Sequence, residues 1–288
     1  MLKLYYEQKS EVFALKYGVW SGFYQNLSPE EAVLEFEKYG YNYSDLCFQH
    51  SVALVNRGDI ATEGRKFKKF AEEHGVTFLQ SHFSTQCYPC KKDDLEQLKK
   101  QLDLYVAMEI KYAILHCDAM TYAPELSLDE VREANLAALR ELVDYAADRG
   151  TMICLENLRR VVPVAMSADD LLYFVNEIGS DKLGICLDIG HLNQTNVNTP
   201  SEFLEKVGKN LRAVHINTND GSCDQHNMPF GRGTVDVMSF TRELRKTGFD
   251  GFYDLEIPGE RSCPLEIKGY KLEYIKKVIN YIDTHTKS

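Results

Sequence analysis

Thr151-Met-Ile-Cys-Leu-Glu156, Leu183-Gly-Ile-Cys-Leu-Asp188, Leu211-Arg-Ala-Val-His215 and Gly251-Phe-Tyr-Asp-Leu-Glu256 are four short, largely apolar runs, each ending on a residue that binds metals. Each reads as a buried strand that stops at an acid or an imidazole and opens into polar loop. Continuous rather than alternating apolar runs suit parallel strands covered on both faces. Three carboxylates and one imidazole at equivalent strand ends make a donor set for one divalent cation.

Similar runs recur along the whole chain, alternating with amphipathic stretches. Strands are expected near 13–19, 43–48, 76–82, 111–116, 151–157, 183–188, 211–217 and 251–257, and helices near 29–39, 60–74, 92–109, 127–149, 167–179, 200–208, 236–247 and 265–284. Ser28-Pro29-Glu30-Glu31 offers a capping Ser, a Pro at the first helical position and a Glu at the third, and Ser167-Ala-Asp-Asp170 resembles it. Gly40, Gly75, Gly150, Gly179 and Gly248 stand at helix ends, where a left-handed residue is wanted. Eight βα units in 288 residues average 36 residues each, the size expected of an α/β chain folded as a (β/α)8 TIM barrel. With no linker rich in Pro, Gly or Ser, residues 1–288 read as a single domain. A doubly wound open sheet would carry a Gly-rich phosphate turn after its first strand, and Val19-Trp-Ser-Gly-Phe-Tyr24 is not one.

Composition narrows the function classes. Apolar content of 44% and charged content of 26% are those of a soluble globular protein. A formal charge of -10 argues against a general nucleic-acid binder, which needs a basic surface. The segment Met1–Lys9 lacks the apolar core of a signal peptide, and no stretch is long enough to span a bilayer. A cytoplasmic location without a membrane partner is therefore expected. Scattered cysteines, several inside apolar runs (Cys47, Cys154, Cys186), read as buried reduced thiols. Cys87-Tyr-Pro-Cys90 has half of a zinc-knuckle spacing, but no second pair answers it.

The loop 217–235 is long enough to be functional, carries Asp220, Asp224, His226 and Arg232, and follows a strand ending in His215. Arg232, between two glycines, is a candidate for holding a substrate phosphate or carboxylate, against the plainer reading of a solvated turn. Trp20, Tyr24 and Phe83 follow early strands and offer either an apolar wall for a sugar ring or core packing. His50, His74 and His285 lie off the expected mouth.

In a barrel the strand C-termini converge on one face, so Glu156, Asp188, His215 and Glu256 would meet there and form a metal site. With that arrangement the chain resembles the xylose-isomerase-like superfamily of barrels, in particular its sugar phosphate isomerase/epimerase group. The marks are Leu155-Glu-Asn157, Leu187-Asp-Ile-Gly-His191, Val214-His-Ile-Asn217, Asp224-Gln-His226, Phe230-Gly-Arg-Gly233 and Leu255-Glu-Ile257. The resemblance implies that Glu156, Asp188, His215 and Glu256 hold one metal, commonly manganese or cobalt, and that the two glutamates are the acid/base pair. It also implies that His191 contacts substrate. A second branch, the endonuclease IV type, holds three zinc ions. Its extra ligands fall on His82, His116, His191, Asp224 and His226, positions that isomerase-like members turn to substrate hydroxyls. The chain lacks that branch's Tyr- and Asn-rich continuation after the first His and its Arg/Lys-rich loops.

Moving a proton beside a carbonyl needs a base, an acid and stabilisation of the enediolate, which a divalent cation provides. Three oxygens and a nitrogen favour Mn²⁺, with Co²⁺, Mg²⁺ or Zn²⁺ as substitutes. The leading expectation is a metal-dependent isomerase or epimerase in carbohydrate metabolism, acting on a small sugar, keto-sugar or cyclitol. The alternatives are an endonuclease IV-like phosphodiesterase at abasic DNA, a lyase resembling inosose dehydratase, and a non-catalytic binding protein on a decayed barrel. Barrels of this type often pair, which leaves a homo-oligomer open.

Overall fold

A computed structural model of the chain describes residues 15–287. Met1–Lys9 and the first two positions of the strand expected near 13–19 lie outside them. Strands β1 (Lys16–Val19), β2 (Tyr43–Leu46), β3 (Thr77–His82), β4 (Tyr112–Leu115), β5 (Met152–Glu156), β6 (Leu183–Asp188), β7 (Leu211–His215) and β8 (Phe252–Leu255) form one sheet, ordered β1-β8-β7-β6-β5-β4-β3-β2. Every ladder is parallel. The order never reverses, as a doubly wound sheet requires, and the sheet curls into a nearly closed barrel.

At the remaining seam, Ser44 Oγ donates to the Val19 carbonyl at 2.7 Å. A Cβ on Gly18 would stand 2.0 Å from the Tyr43 carbonyl oxygen, so this approach of β1 to β2 needs glycine. Inside the barrel, Ile114, Cys154, Cys186 and Ala213 pack together above Tyr112 and Met152. All eight cysteines are unpaired.

The outer layer holds α1 (Pro29–Lys38), α2 (Phe48–Val55), α3 (Ile60–Glu73), α4 (Lys92–Ala107), α5 (Leu128–Ala146), α6 (Ala168–Ile178), α7 (Ile189–Thr195), α8 (Pro200–Val207), α9 (Val237–Lys246) and α10 (Leu265–His285). Ser28 and Ser167 form the capping boxes that their spacing anticipated, and Ser127 and Thr199 form two more. The five glycines at helix ends all have positive φ. Two helices were not anticipated, α2 and α7. Both are shorter than the stretch over which a 3.6-residue period can be read, and neither has the Thr-Pro start and capping box of the equally short α8.

α2 carries a polar residue into the core. His50 is buried, with Nδ1 3.0 Å from Ser21 Oγ and Nε2 3.2 Å from the Leu27 carbonyl. A carbonyl can only accept, so Nε2 bears the proton, and the ring sits neutral. Burial pushes its pKa down from 6.5 to about 4. A depressed histidine favours the folded state above pH 6.5, and this stability is lost as pH falls towards 4. The loss is on the order of 3 kcal/mol. Urea unfolding of wild type and His50→Gln at pH 7.5 and 4.5 checks this: the wild type should lose that much more than the variant. Equal losses in both would sink the assignment.

Candidate metal centre

Parallel ladders in register bring the chemistry to the carboxyl ends of the strands. Glu156, Asp188 and His215 are the last residues of β5, β6 and β7, and Glu256 follows β8 by one residue. In the ladders Glu156 lies opposite Cys186, and Asp188 opposite His215. Ligand atoms of Glu156, Asp188, His215 and Glu256 all lie within 4.8 Å of one another, and all four residues are buried.

Glu156 sits at the middle of this group. Its Oε1 is 3.2 Å from His215 Nδ1 and 3.4 Å from His191 Nδ1. Its Oε2 is 2.9 Å from His116 Nε2 and 3.3 Å from His82 Nε2. Burial alone would raise this carboxyl, but the His215 and His116 imidazoles overcome it and hold the pKa well below the usual range. Glu256 behaves alike: burial raises it, and His215 with His226 bring it down to about 2. Its Oε2 stands 3.2 Å from His215 Nδ1, outside hydrogen-bond geometry, and has no hydrogen-bond partner.

Asp188 is fixed by the backbone around it. Its Oδ1 accepts from the His191 amide at 2.6 Å, capping α7, and its Oδ2 accepts from Asn217 Nδ2 at 2.7 Å. Asn157 clamps the same residue, accepting from its amide at 2.7 Å and donating to its carbonyl at 2.9 Å. Burial and the negative charge of Glu156 push the Asp188 pKa up, against the pull of His191. Gly190 is obligatory beside this clamp, since a Cβ there would lie 1.9 Å from Asn217 Oδ1.

The donor chemistry fits a divalent cation. Three buried carboxylates crowd one imidazole, one of their oxygens is unpartnered, and like charges this close are tolerated only with a counter-ion. Oxygen-rich ligation with one nitrogen suits a hard or borderline ion.

The other imidazoles flank this group. His82 ends β3, with Nδ1 2.9 Å from the Phe83 carbonyl, and His116 follows β4. On the opposite side, Asp224 Oδ2 lies 3.4 Å from His191 Nε2, and Asp224 Oδ1 lies 2.9 Å from His226 Nε2. Burial would lower His226, but Glu256 and Asp224 raise it to about 10. His82, His116 and Glu156 form one further group with metal-ligand spacing, and His191, Asp224 and His226 form another.

A cavity of about 550 Å³ opens above these residues. Its floor includes His82, His116, Glu156, His191, Asp224, His226 and Glu256, and its walls include Trp20, Phe48, Phe83, Leu115 and Leu158. Trp20 is anchored by its indole N–H, which donates to the Ile257 carbonyl at 3.1 Å.

Two sequence-based candidates are not brought to this cavity. Arg232 has a side chain 84% exposed, and its nearest acid is Asp220 at 3.9 Å. The flanking glycines serve the loop itself: a Cβ on Gly233 would meet Thr218 Oγ1 at 2.2 Å, and one on Gly231 would meet the Met228 carbonyl at 3.0 Å. The Tyr24 ring is fully buried against Phe23 and Phe36 instead of facing the mouth. The loop around Arg232 is also less irregular than its composition suggested. Thr218 and Asn227 exchange two backbone hydrogen bonds, which fold Asp224 and His226 back over the centre.

Sequence reading missed several groups. Asn157 and Asn217 sit inside the quoted motifs but hold Asp188 without touching the cavity. Phe48 arrives on the unanticipated α2. Asp254, two residues before Glu256 and therefore on the same strand face, was visible as a charge inside an otherwise apolar run.

The sequence profile described as xylose isomerase-like TIM barrel matches residues 33–283. An uncharacterised protein of Methanocaldococcus jannaschii is 34% identical over 164 residues, 54% of this chain and 55% of that protein, so the match spans about half of that relative. Fructoselysine 3-epimerase of Escherichia coli O157:H7 is 24% identical over 255 residues, 84% of this chain and 90% of the enzyme. The crystal structure of a D-tagatose 3-epimerase-like protein superposes with a TM-score of 0.77 at 21% identity, covering 95% of this chain and all of that one, a likeness of fold.

Proposed function

Since the chain belongs to the xylose isomerase-like TIM barrel family, we propose that it is a divalent-metal-dependent epimerase or isomerase of a small ketose or related polyol. The observation that carries this is the meeting of Glu156, Asp188, His215 and Glu256 under a cavity whose floor both glutamates line. A cation bound there supplies Lewis acidity, which polarises a carbonyl and offsets charge developing on its oxygen.

The chain's own residues move the proton. Glu256 Oε2, ionised and without a hydrogen-bond partner, takes a proton from the carbon beside the carbonyl. Glu256 gives that proton up to solvent through the cavity as product leaves, while His226, held protonated by Glu256 and Asp224, favours the return of Glu256 to its ionised form. Glu156, ionised at rest, relays a proton from the His82 imidazole, whose Nε2 lies 3.3 Å from its Oε2, to the other face of the carbon, which inverts it, and His82 is reprotonated from solvent. In the reverse reaction the two glutamates exchange tasks. His191 and Asp224 line the cavity beside them and serve substrate hydroxyls, and the apolar walls keep water from the reacting carbon. A cytoplasmic enzyme with a cation such as Mn²⁺ is the form of this reading we adopt.

The reading is tested in ²H₂O. Incubating the purified, Mn²⁺-loaded protein with a panel of ketohexoses and ketopentoses should incorporate one deuterium at the carbon beside the carbonyl. Glu256→Gln should slow the incorporation by about 10²-fold or more. A protein that exchanges no hydrogen on any ketose is not this enzyme.

A second reading is favoured by one observation: the two flanking three-ligand groups complete a set for three cations. Such a centre would suit phosphodiester hydrolysis at abasic DNA, in line with the endonuclease IV resemblance. Nicking of an abasic-site duplex together with about three zinc ions per chain would decide for it.

A further inference from the structure

The centre described above uses only one nitrogen of His215. Nδ1 faces Glu156 Oε1 and Glu256 Oε2, each at 3.2 Å, while Nε2 points down into the barrel and has no hydrogen-bond partner. Below it lies a polar layer that the chemistry so far leaves idle. Asp254 Oδ2 is 3.9 Å from His215 Nε2, and Gln80 Nε2 donates to that same Oδ2 at 3.4 Å. Asp45 completes the layer, with a ligand oxygen within 4.8 Å of the facing atoms of His215 and Asp254. Asp45, Gln80, His215 and Asp254 are all essentially inaccessible, and Asp254 Oδ1 and both Asp45 oxygens are unpartnered. The placement follows from register: His215 and Asp254 are paired across β7 and β8, and Asp45 and Gln80 across β2 and β3.

We infer that Asp254 is the positioning carboxylate of His215, accepting its Nε2–H when Nδ1 ligates a cation. The inference rests on the reading of Glu156, Asp188, His215 and Glu256 as the cation site. An imidazole that gives its Nδ1 lone pair to a metal must carry its proton on Nε2, and that proton is buried. A buried N–H needs an acceptor. Cys186, which also lies against the ring, offers only a weak one. Asp254 is the nearer carboxylate, its Oδ2 at 3.9 Å, and a shift of the ring by roughly an ångström, or one bridging water, completes the bond. Gln80 holds the accepting oxygen in place from the other side. A carboxylate behind a ligating imidazole fixes its tautomer and orientation and strengthens it as a donor.

The test is Mn²⁺ titration by calorimetry of wild type and Asp254→Asn, with thermal unfolding of both in the absence of metal. The variant should bind Mn²⁺ about 10- to 100-fold more weakly. Its metal-free unfolding temperature should change little, because the amide keeps the shape of the carboxyl that it replaces. Binding within twofold of wild type overturns the inference and leaves the cation site standing. A wild type that binds no divalent cation overturns the site itself, and this inference with it. Should the variant fail to fold, ¹⁵N NMR of Zn²⁺-loaded wild type decides: Nε2 of His215 should be protonated and hydrogen-bonded, and a bare Nε2 contradicts the assignment.

Discussion

Dialysis against a chelator should cut ketose turnover by at least about 10³-fold, since the Lewis acidity of a bound cation is worth several kcal/mol of barrier. Adding Mn²⁺ or Co²⁺ should restore it. The expectation follows from charge. Glu156, Asp188 and Glu256 bring three acids within 4.8 Å of one another around a single imidazole. Without a cation the imidazoles act as their counter-ions: Glu156 and Glu256 stay ionised, whereas burial and its neighbour Glu156 push Asp188 up. A cation replaces that makeshift balance, so loading should also raise the unfolding temperature. At a hundred times the dissociation constant the gain is about 2.7 kcal/mol. Turnover that survives exhaustive chelation would rule the centre out of the chemistry, and activity assays before and after readdition measure it.

Glu156→Gln should be nearly as damaging, lowering kcat/KM by about 10³- to 10⁴-fold even at saturating Mn²⁺. Four imidazoles converge on this carboxylate, those of His82, His116, His191 and His215. The amide keeps the shape but loses the charge, one cation ligand and one proton-transfer group together. Glu256→Gln loses a ligand as well, but Glu256 faces fewer imidazoles, so its effect should be smaller. Steady-state kinetics of both variants on one ketose checks the order. A Glu156→Gln enzyme with a tenth of wild-type activity would remove Glu156 from the mechanism.

The barrel was legible because its strands are continuous apolar runs and its helices are punctuated. β6 is buried along its full length, and the helix-end glycines occupy left-handed conformations that follow from their positions. The centre was legible for a related reason. Parallel strands in register must present their last residues at one rim, so Glu156, Asp188 and His215 needed no long-range inference beyond strand count. What escaped depends on geometry that spacing does not encode. For Arg232 the flanking glycines left an anion contact and a solvated turn both open; they make room for Thr218 and for the backbone of Met228, and the side chain stands in solvent. For Tyr24 the sequence left a sugar wall and core packing both open, and a 3₁₀ turn over Ser21–Tyr24 decides for the core. Asp45 and Asp254 were hidden inside short strand runs, where one charge among apolar residues is easily read past. α2 and α7 are brief and lack the Thr-Pro start that marks the equally brief α8, and α7 depends on a cap from Asp188, a tertiary fact as much as a local one.

The most direct check of the account is an anomalous difference map from crystals of the Mn²⁺-loaded protein. One strong peak should fall between Glu156, Asp188, His215 and Glu256, within bonding reach of all four side chains. No peak at that position, or three peaks of comparable height spread over His82, His116, His191, Asp224 and His226 as well, would contradict it.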